Sequence, residues 1–453
     1  MVVLLKIIQV ILALSLLVLF HEFGHYSFAK LFKTRVEKFY LFFNPKRSLL
    51  KFKRFGGKWH CKAFASNEDP EWDAHPENTE YGIGWLPFGG YCKIAGMVDE
   101  SMDTESLRQE PQPWEFRSHP AWQRLLVMAG GVLNNFILAL VLFISILAGW
   151  GRNYMPNESP VYVNELGEEM GFRIGDRILL FDDYAPEDFM DLQADLARRQ
   201  VRRATVLRGT DTLDIYIDQS MIGEVLSSPG LFDVALPFVV DSVMAGSPNA
   251  ASALRRGDRI VGVMGVDTPY LQDAQKVLRQ YPGEAVAVAV ERGADTIGLS
   301  LQVDSLGMLG VYFRNPSLKH RDYTVWEAIP AGCSWAWESV AGYLRDLRLV
   351  ATPSTGAYKS VGSFVAIGQV FPTSWNWLQF LYILALLSIM LGVMNLLPVP
   401  ALDGGHIVFC LYEMLTGRKP SDRFLMVAQM IGMFLLLGLM FLAFGNDISR
   451  LIH

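Results

Sequence analysis

The stretch LLVLFHEFGHYSFAK, Leu16–Lys30, places two histidines and a glutamate at the end of a long apolar segment. A helix of roughly 20 apolar residues is long enough to cross the hydrocarbon core of a membrane. Charged and metal-binding side chains are costly in lipid, so their presence at that depth indicates a chemical function. The stretch therefore predicts a membrane helix that carries a reactive site.

The composition agrees with a membrane protein. The chain has 453 residues, of which 51% are hydrophobic, and its formal net charge of -6 gives no reason to expect nucleic acid as a partner. The four cysteines are far apart and form no CxxC pair, which argues against a disulfide framework and against a thiolate zinc site. They are Cys61, Cys92, Cys333 and Cys410.

Apolar stretches of spanning length occur at about Val3–Phe32, Leu125–Ala148, Trp377–Leu397 and Phe424–Phe444. A cleavable signal peptide is the alternative interpretation of the first stretch. The Lys- and Arg-rich segment that follows favours a retained helix, because positive flanks stay in the cytoplasm. Alternation of the spans then predicts that the segment 33–122 is cytoplasmic and the segment 150–375 lies outside.

The outer segment contains an internal repeat. GFRIGDRILLFDD begins at Gly171 and ALRRGDRIVGVMG begins at Ala253, about 82 residues later, which is a domain-sized interval. Each copy joins a Gly-Asp-Arg-Ile turn to an apolar strand, and the pattern resembles a tandem of PDZ domains. Two unrelated small β-domains are the alternative. PDZ domains add a peptide or chain end to a sheet edge, so such a ligand is a candidate partner.

The inner segment contains GWLPFGGYCKIAGM, Gly84–Met97, in which apolar and small residues alternate around a proline and a glycine pair. This composition is typical of a β-hairpin. The stretch is too apolar for an exposed loop, and non-helical backbone at membrane depth must lie against protein or water. The stretch either packs in a core or enters the membrane beside the helices, and we predict a membrane-associated or re-entrant β-hairpin region.

His21-Glu22-Phe23-Gly24-His25 has the H-E-x-x-H form. On a helix the two histidines fall at i and i+4, so both imidazoles can reach one zinc ion. Zinc lowers the pKa of a bound water to about 7, and Glu22 can take the proton as general base. A chance occurrence of so short a motif is the alternative, but its position at a membrane helix end argues against it.

A catalytic zinc usually has three protein ligands, so a third should lie near the same membrane face. MNLLPVPALDGGH, Met394–His406, ends the third apolar stretch and offers Asp403 and His406. We predict Asp403, because the prolines stop the helix and the following glycine pair permits a turn that projects the carboxylate. His406 is the alternative. The amide of Asn395 could bind an extended substrate backbone, or it could make a helix–helix hydrogen bond instead.

The two motifs and the insertion between them resemble the site-2 protease family, and most closely its regulator-of-sigma-E type with tandem PDZ domains. The resemblance covers nearly the full chain. It implies a zinc-dependent endoprotease that hydrolyses a peptide bond within or near the transmembrane segment of single-pass membrane proteins, such as anti-sigma factors or signal-peptide remnants. It also implies a multi-pass protein of the bacterial inner membrane, with the active site near the cytoplasmic side and the PDZ domains extracytoplasmic.

By motif position the resemblance implies His21, His25 and Asp403 as zinc ligands and Glu22 as the catalytic base. It implies a substrate-binding segment that contains Asn395, Pro398, Pro400 and Leu402. Two departures concern other segments. Residues 131–136, Gly-Val-Leu-Asn-Asn-Phe, lack the proline of the family pattern Gly-Pro-x-x-Asn-Phe, and a serine follows Gly362 where the family has Gly-Pro.

The predicted fold is a polytopic α-helical membrane protein with four transmembrane helices, a membrane-associated β-hairpin region and two extracytoplasmic α+β PDZ-like domains. The predicted order is a first helix with the zinc motif (1–32), the β region (33–122), a second helix (123–150), two PDZ-like domains (151–225 and 226–315), an amphipathic or juxtamembrane segment (316–375), a third helix with the ligand loop (376–403), a cytoplasmic loop (404–423) and a fourth helix (424–446).

Two other functional classes remain as alternatives. One is a membrane PDZ scaffold with a metal site and no turnover, and Glu22 argues against it because a structural zinc needs no base. The other is a transporter, which the lack of inverted halves disfavours.

Overall fold

The chain forms two compact units. The first consists of Met1–Gly151, Asp322–Arg348 and Lys359–His453, and the second consists of Arg152–Arg321 and Leu349–Tyr358. Each unit contains apolar clusters of its own. The computed structural model describes residues 2–97, 110–228, 230–314, 318–352, 358, 362 and 364–452.

The described chain contains both helices and strands, and its last five elements are all helices. The helices are α1 (Val2–Leu31), α2 (Pro70–Asp73), α3 (Ala121–Trp150), α4 (Glu165–Glu169), α5 (Leu192–Arg198), α6 (Ile222–Ser227), α7 (Leu271–Leu278), α8 (Val325–Val350), α9 (Phe364–Val370), α10 (Trp377–Leu396), α11 (Asp403–Thr416) and α12 (Asp422–Ile452). The strands are β1 (Val36–Phe43), β2 (Arg47–Phe55), β3 (Lys58–Ser66), β4 (Glu80–Ile83), β5 (Leu86–Ile94), β6 (Arg152–Tyr154), β7 (Val161–Val163), β8 (Arg177–Phe181), β9 (Arg203–Arg208), β10 (Asp211–Tyr216), β11 (Phe232–Val234), β12 (Phe238–Val243), β13 (Arg259–Val263), β14 (Val266–Asp267), β15 (Ala285–Arg292), β16 (Asp295–Gln302), β17 (Val311–Phe313) and β18 (Lys319–Arg321).

In the part of the chain that the structure describes, four helices are long and apolar enough to cross a membrane. They are Val2–Leu31, Ala121–Trp150, Trp377–Leu396 and Arg423–Asp447. Each contains most of one apolar stretch of the sequence. The helices α1, α3 and α10 pack together in the first unit through small residues, since Ala13, Ala139 and Ala385 are each at most 1% exposed. Small side chains allow membrane helices to approach closely.

A five-stranded sheet lies between α1 and α3 along the chain, with the strand order β3-β2-β4-β1-β5. The β-hairpin predicted within Gly84–Met97 is not formed, because β5 pairs antiparallel with one side of β1 while β4 pairs parallel with the other. The chain crosses β1 at Gly84, where a Cβ atom would lie 2.2 Å from the Phe43 carbonyl oxygen. The segment between β4 and β5 therefore crosses over β1 in place of a hairpin turn, and β5 lies at the edge of the sheet.

The cytoplasmic loop predicted over residues 404–423 is mostly helical. Helix α11 runs from Asp403 to Thr416 and ends at Gly417, which adopts a left-handed conformation with φ of 69°. This helix was not predicted because its apolar residues are too few for a membrane span, although a terminal glycine is a usual signal for a helix end.

The two Gly-Asp-Arg-Ile copies have equivalent contacts in the second unit. The carboxylates of Asp176 and Asp258 are 0% and 1% exposed. Arg208 donates to Asp176 through Nε at 2.7 Å and Nη2 at 2.8 Å. Arg292 donates to Asp258 through the same two atoms at 2.7 and 2.8 Å. The aspartate of the repeat is therefore an ion-pair acceptor as well as a turn residue.

The boundary between the copies lies later than predicted. Strand β11, which follows the expected limit at residue 225, pairs with β7 of the first copy. Leu231 and Phe232 belong to the apolar cluster of that copy. The sheet of the second copy has the order β16-β15-β13-β12-β17 and begins at Phe238. The chain up to Val234 therefore belongs to the first copy, because its strand completes that fold.

Candidate metal centre

His21 and His25 lie one turn apart on α1, and both are buried at 8% and 7% exposure. Gly24 lies beside them against α3, and a Cβ atom at Gly24 would be 2.1 Å from the Gly130 carbonyl oxygen. The two helix backbones therefore touch at this point. A larger residue at Gly24 would separate them, so this close approach brings both imidazoles against α3.

Each imidazole has a partner on α3. His25 Nδ1 donates to the Val127 carbonyl oxygen at 2.9 Å, and His21 Nδ1 lies 3.1 Å from the side-chain amide of Asn135. The two Nε2 atoms are 3.2 Å apart and face the same point. Metal-binding histidines are usually oriented in this way, through the ring nitrogen that does not bind the metal.

Asp403, the first residue of α11, completes the cluster. Its Oδ2 atom lies 3.2 Å from His21 Nε2 and 3.4 Å from His25 Nε2, and it is buried without a hydrogen-bond partner. Among the residues that the structure describes, these three form the group whose ligand atoms lie within 4.8 Å of one another. His406, the alternative third ligand, lies further along α11 and is not part of this group.

The loop between α10 and α11 positions the carboxylate. The glycine pair after Asp403 does not form the predicted tight turn but lies in the first turn of α11. A Cβ atom at Gly404 would be 2.2 Å from the Leu397 carbonyl oxygen, and one at Gly405 would be 2.5 Å from Pro400 Cα. The glycines are therefore needed because the loop passes directly over the start of the helix.

The three ligand atoms fit a tetrahedral zinc ion. Bonds of about 2.0–2.2 Å from zinc to nitrogen or oxygen place two corners of a tetrahedron about 3.3–3.6 Å apart. The three separations in the cluster are 3.2, 3.2 and 3.4 Å. Burial would raise the pKa of Asp403, but the adjacent His25 and His21 outweigh burial and hold this pKa below its usual range. The neighbouring imidazoles therefore favour the ionised carboxylate, which is the form that binds a metal.

The cluster borders a cavity of about 730 Å³. Glu22, Asn395 and Leu402 line it, together with Gly89–Ile94 of β5. Cys92 is part of this wall, and burial together with the charge of Glu22 raises the pKa of its thiol well above the usual value. A raised pKa favours the protonated thiol, and Cys92 is not part of the cluster that His21, His25 and Asp403 form among the described residues.

The structure separates the predicted substrate-binding residues into two groups. Asn395 and Leu402 line the cavity, and Asn395 Nδ2 lies 3.4 Å from His21 Nε2. Pro398 and Pro400 are not among the lining residues and instead shape the loop that follows α10. Asn135 was not among the predicted site residues. The signal that could have found it is an amide inside a membrane span, which is costly unless it has a partner.

A family model described as Peptidase family M50 matches the chain over residues 9–65 and 71–439. The chain belongs to peptidase family M50. The segments His21–His25 and Met394–His406 lie within the matched ranges, and so do both copies of the repeat.

Relatives match this family M50 chain over almost its whole length. A protein of Ralstonia nicotianae named as a zinc metalloprotease is 27% identical over 489 residues, which cover 99% of both chains. The Regulator of sigma-E protease RseP is 27% identical over 467 residues in Salmonella typhimurium and over 476 residues in Escherichia coli, in both cases covering 97% of this chain and 98% of the relative. The predicted site-2 protease family and the predicted zinc-dependent endoprotease are thereby confirmed at the level of the family.

Proposed function

We propose that this chain is a zinc-dependent intramembrane endoprotease that cuts single-pass membrane proteins within or near their transmembrane segment. His21, His25 and Asp403 would hold the zinc, and Glu22 would act as general base. One observation carries the proposal. Three ligand atoms lie 3.2–3.4 Å apart beside a cavity, and the helices around them are apolar enough to cross a membrane.

The chemistry divides between the metal and the protein. Zinc, when bound, lowers the pKa of a bound water and polarises the carbonyl group of the scissile bond. Glu22 lines the cavity next to His21 in the sequence, so its carboxylate can accept the proton that the attacking water loses. The same carboxyl group then donates that proton to the leaving amide nitrogen. Glu22 is therefore ionised again at the end of each cycle.

The sheet edge offers a place to extend the substrate. A helical substrate shields its own amides, so it must be unwound before attack. In the described part of the chain β1 is the strand paired with β5, and Gly89–Ile94 of β5 lines the cavity. A substrate strand added to the other side of β5 would regain backbone hydrogen bonds. The amide of Asn395, close to His21, could bind the same extended backbone.

The topology of the proposal follows from charge. The four apolar helices would span the bacterial inner membrane, with the zinc motif near the cytoplasm because Lys- and Arg-rich strands follow α1. The two repeat copies would be extracytoplasmic PDZ-like domains, with a peptide or chain end as their ligand. Relatives bear the name regulator of sigma-E protease, which favours anti-sigma factors as substrates, with signal-peptide remnants as a second class.

The test is cleavage of a single-pass substrate by the purified chain in lipid vesicles, with zinc content measured on the same samples. We expect Glu22→Gln to lower the rate about 10²–10⁴-fold, because the base is lost, while the zinc remains bound. Glu71→Gln is the matched control, since Glu71 is an exposed residue of α2 that pairs with Lys62 of β3. Turnover by Glu22→Gln at the wild-type rate would refute the role of Glu22. A wild-type chain that binds zinc but cuts no substrate would favour the alternative function, a membrane PDZ scaffold with a metal site and no turnover.

A further inference from the structure

We propose that Asn135 is a positioning residue of the metal centre. Its side-chain oxygen accepts a hydrogen bond from Nδ1–H of His21 and thereby holds the imidazole with Nε2 towards the metal. This inference rests on the proposed function for the presence of zinc. The part played by Asn135 rests on the contacts between α1 and α3.

The contact pattern shows how α3 supports the histidine pair. Val127, Gly131 and Asn135 are spaced four residues apart and lie on one face of α3. Asn135 contacts His21 and Val127 contacts His25, so the order along α3 is the reverse of the order along α1. At Gly131, midway, a Cβ atom would be 2.4 Å from His25 Nε2. This face of α3 therefore contacts the Nδ1 atom of each imidazole, His21 through Asn135 and His25 through Val127. The glycine between them leaves space for the two Nε2 atoms.

The tautomer of His21 decides how the amide of Asn135 must be oriented. A neutral imidazole carries one proton, and a nitrogen that binds a metal must offer its lone pair. If Nε2 binds zinc, the proton is on Nδ1 and the facing atom must be an acceptor. The orientation with Nδ2 towards the ring would place the proton on Nε2 and block the metal. The Asn135 oxygen therefore faces His21, since amide oxygen and nitrogen are assigned from their hydrogen bonds.

The remaining atoms of the amide agree with this choice. With the amide nitrogen towards His21, the Asn135 oxygen is buried without a partner. The orientation that serves zinc binding also gives the oxygen a donor, and an acceptor-only group would fit the site at least as well.

Neighbouring contacts fix Asn135 and provide a control. Asn135 and Ser388 are both 0% exposed, and Ser388 Oγ donates to the Asn135 backbone carbonyl at 2.8 Å, which ties the residue to α10. The adjacent Asn134 also contacts α1, since its Nδ2 donates to the Phe20 carbonyl oxygen at 3.0 Å. Asn134 contributes to helix packing with the same side chain but makes this bond to backbone rather than to a ligand histidine.

The experiment measures zinc release into a chelator and the visible absorption of the Co2+-substituted protein, for the full chain in lipid. We expect Asn135→Leu to weaken zinc binding about 10–100-fold, which is the usual cost of losing a hydrogen bond to a metal ligand. The Co2+ absorption bands should also shift, because the His21 ring is no longer held in one orientation. Asn135→Asp should bind zinc at least as tightly as the wild type. Asn134→Leu should change neither measurement.

Each outcome bears on the proposal. Wild-type zinc release and an unchanged Co2+ spectrum in Asn135→Leu would overturn it, and so would an equal loss in Asn134→Leu, which would indicate helix packing alone. If Asn135→Leu does not fold, Asn135→Asp decides, and a release about tenfold faster than wild type would reject the acceptor role. A wild-type chain that binds no zinc would instead refute the proposed function, and the role of Asn135 would fall with it.

Discussion

Asp258 in the second unit and Asp403 in the first are both shielded carboxylates, but their partners differ. Asp258 has both oxygens bonded to Arg292, and its Oδ2 also accepts from the Arg255 amide at 2.7 Å. Asp403 presents Oδ2 to two imidazole nitrogens, and that oxygen has no hydrogen-bond donor. A carboxylate that its own fold satisfies is structural, whereas a shielded oxygen without a donor is available to a ligand.

The internal repeat strengthens this comparison. Asp176 has the same arrangement as Asp258, with an arginine on its two oxygens and the Arg173 amide on Oδ2 at 2.9 Å. The arrangement thus occurs once in each copy, as expected for an element of the fold. Burial of a charge is common to all three aspartates. What distinguishes Asp403 is the identity of its neighbours and the unsatisfied oxygen.

The largest effect is expected for Asp403→Asn. An amide is a weaker zinc ligand than a carboxylate, so we expect cleavage to be lost. Zinc affinity should fall by more than about 100-fold, which is the most that loss of a hydrogen bond to a metal ligand usually costs. Zinc titration and substrate cleavage measure both. Asp258→Asn, the same exchange in the second unit, should leave zinc affinity unchanged. Retention of zinc by Asp403→Asn together with its loss in His406→Ala would assign the third ligand to His406.

The next largest effect is expected on the stability of the second repeat copy and not on zinc binding. Arg292→Leu leaves the carboxylate of Asp258 buried without its partner, which should destabilise the second copy by about 3 kcal/mol. Hydrogen exchange of the β13 and β15 amides reports this change, and Arg208→Leu is the matched variant for the first copy. Exchange in α1 and α3 should stay the same. Unchanged protection in β13 and β15 would show that the ion pair contributes nothing to the fold.

A smaller effect should follow pH. The hydrogen bond from Arg292 holds the pKa of Asp258 below its usual range. Because the pKa is lower in the folded state, the ionised carboxylate stabilises the fold above the unfolded pKa of about 3.9, and this stabilisation is lost as pH falls through the folded pKa. We therefore expect β13 and β15 to lose protection on acidification, after correction for the intrinsic exchange rate. In Arg292→Leu this loss should be reduced, and an equal loss there would assign the pH effect to other groups.

The smallest effect on the metal centre is expected from deletion of residues 157–312. Strands β6 and β18 pair across the ends of this segment, with Arg152 opposite Arg321, so the remaining chain can close without a gap. We expect zinc binding and cleavage of a short substrate to persist. The two repeat copies, proposed above as PDZ-like domains, should exclude a substrate with a bulky outer domain, so only the shortened chain should cut it. Equal cleavage of both substrates by the intact chain would refute this exclusion.

The clustering of the proposed metal ligands could be predicted because their signals are local. His21 and His25 are related by one helical turn, and Asp403 follows a segment that proline keeps from being helical. The partners of buried groups could not be found in this way. Arg208 and Arg292 lie 32 and 34 residues from their aspartates, and Asn135 meets His21 only through the register of two packed helices.

The sheet around the cavity shows a second limit of sequence reasoning. Alternation and the glycine pair near Gly89 correctly indicated strand structure, since β5 runs from Leu86 to Ile94. The partner of that strand depended on the crossover at Gly84, where the backbone passes against Phe43. Sequence periodicity identifies which residues form a strand, but it contains no information about which side of a neighbouring strand the chain will reach.

X-ray absorption at the zinc edge of the purified wild-type chain tests the central claim most directly, because it reports the atoms bound to the metal. The account predicts two imidazole nitrogens and a carboxylate oxygen from His21, His25 and Asp403, with no sulfur. In Asp403→Asn any zinc that remains should show an altered oxygen shell. A sulfur neighbour, which would point to Cys92, or a third imidazole, which would point to His406, would contradict the account.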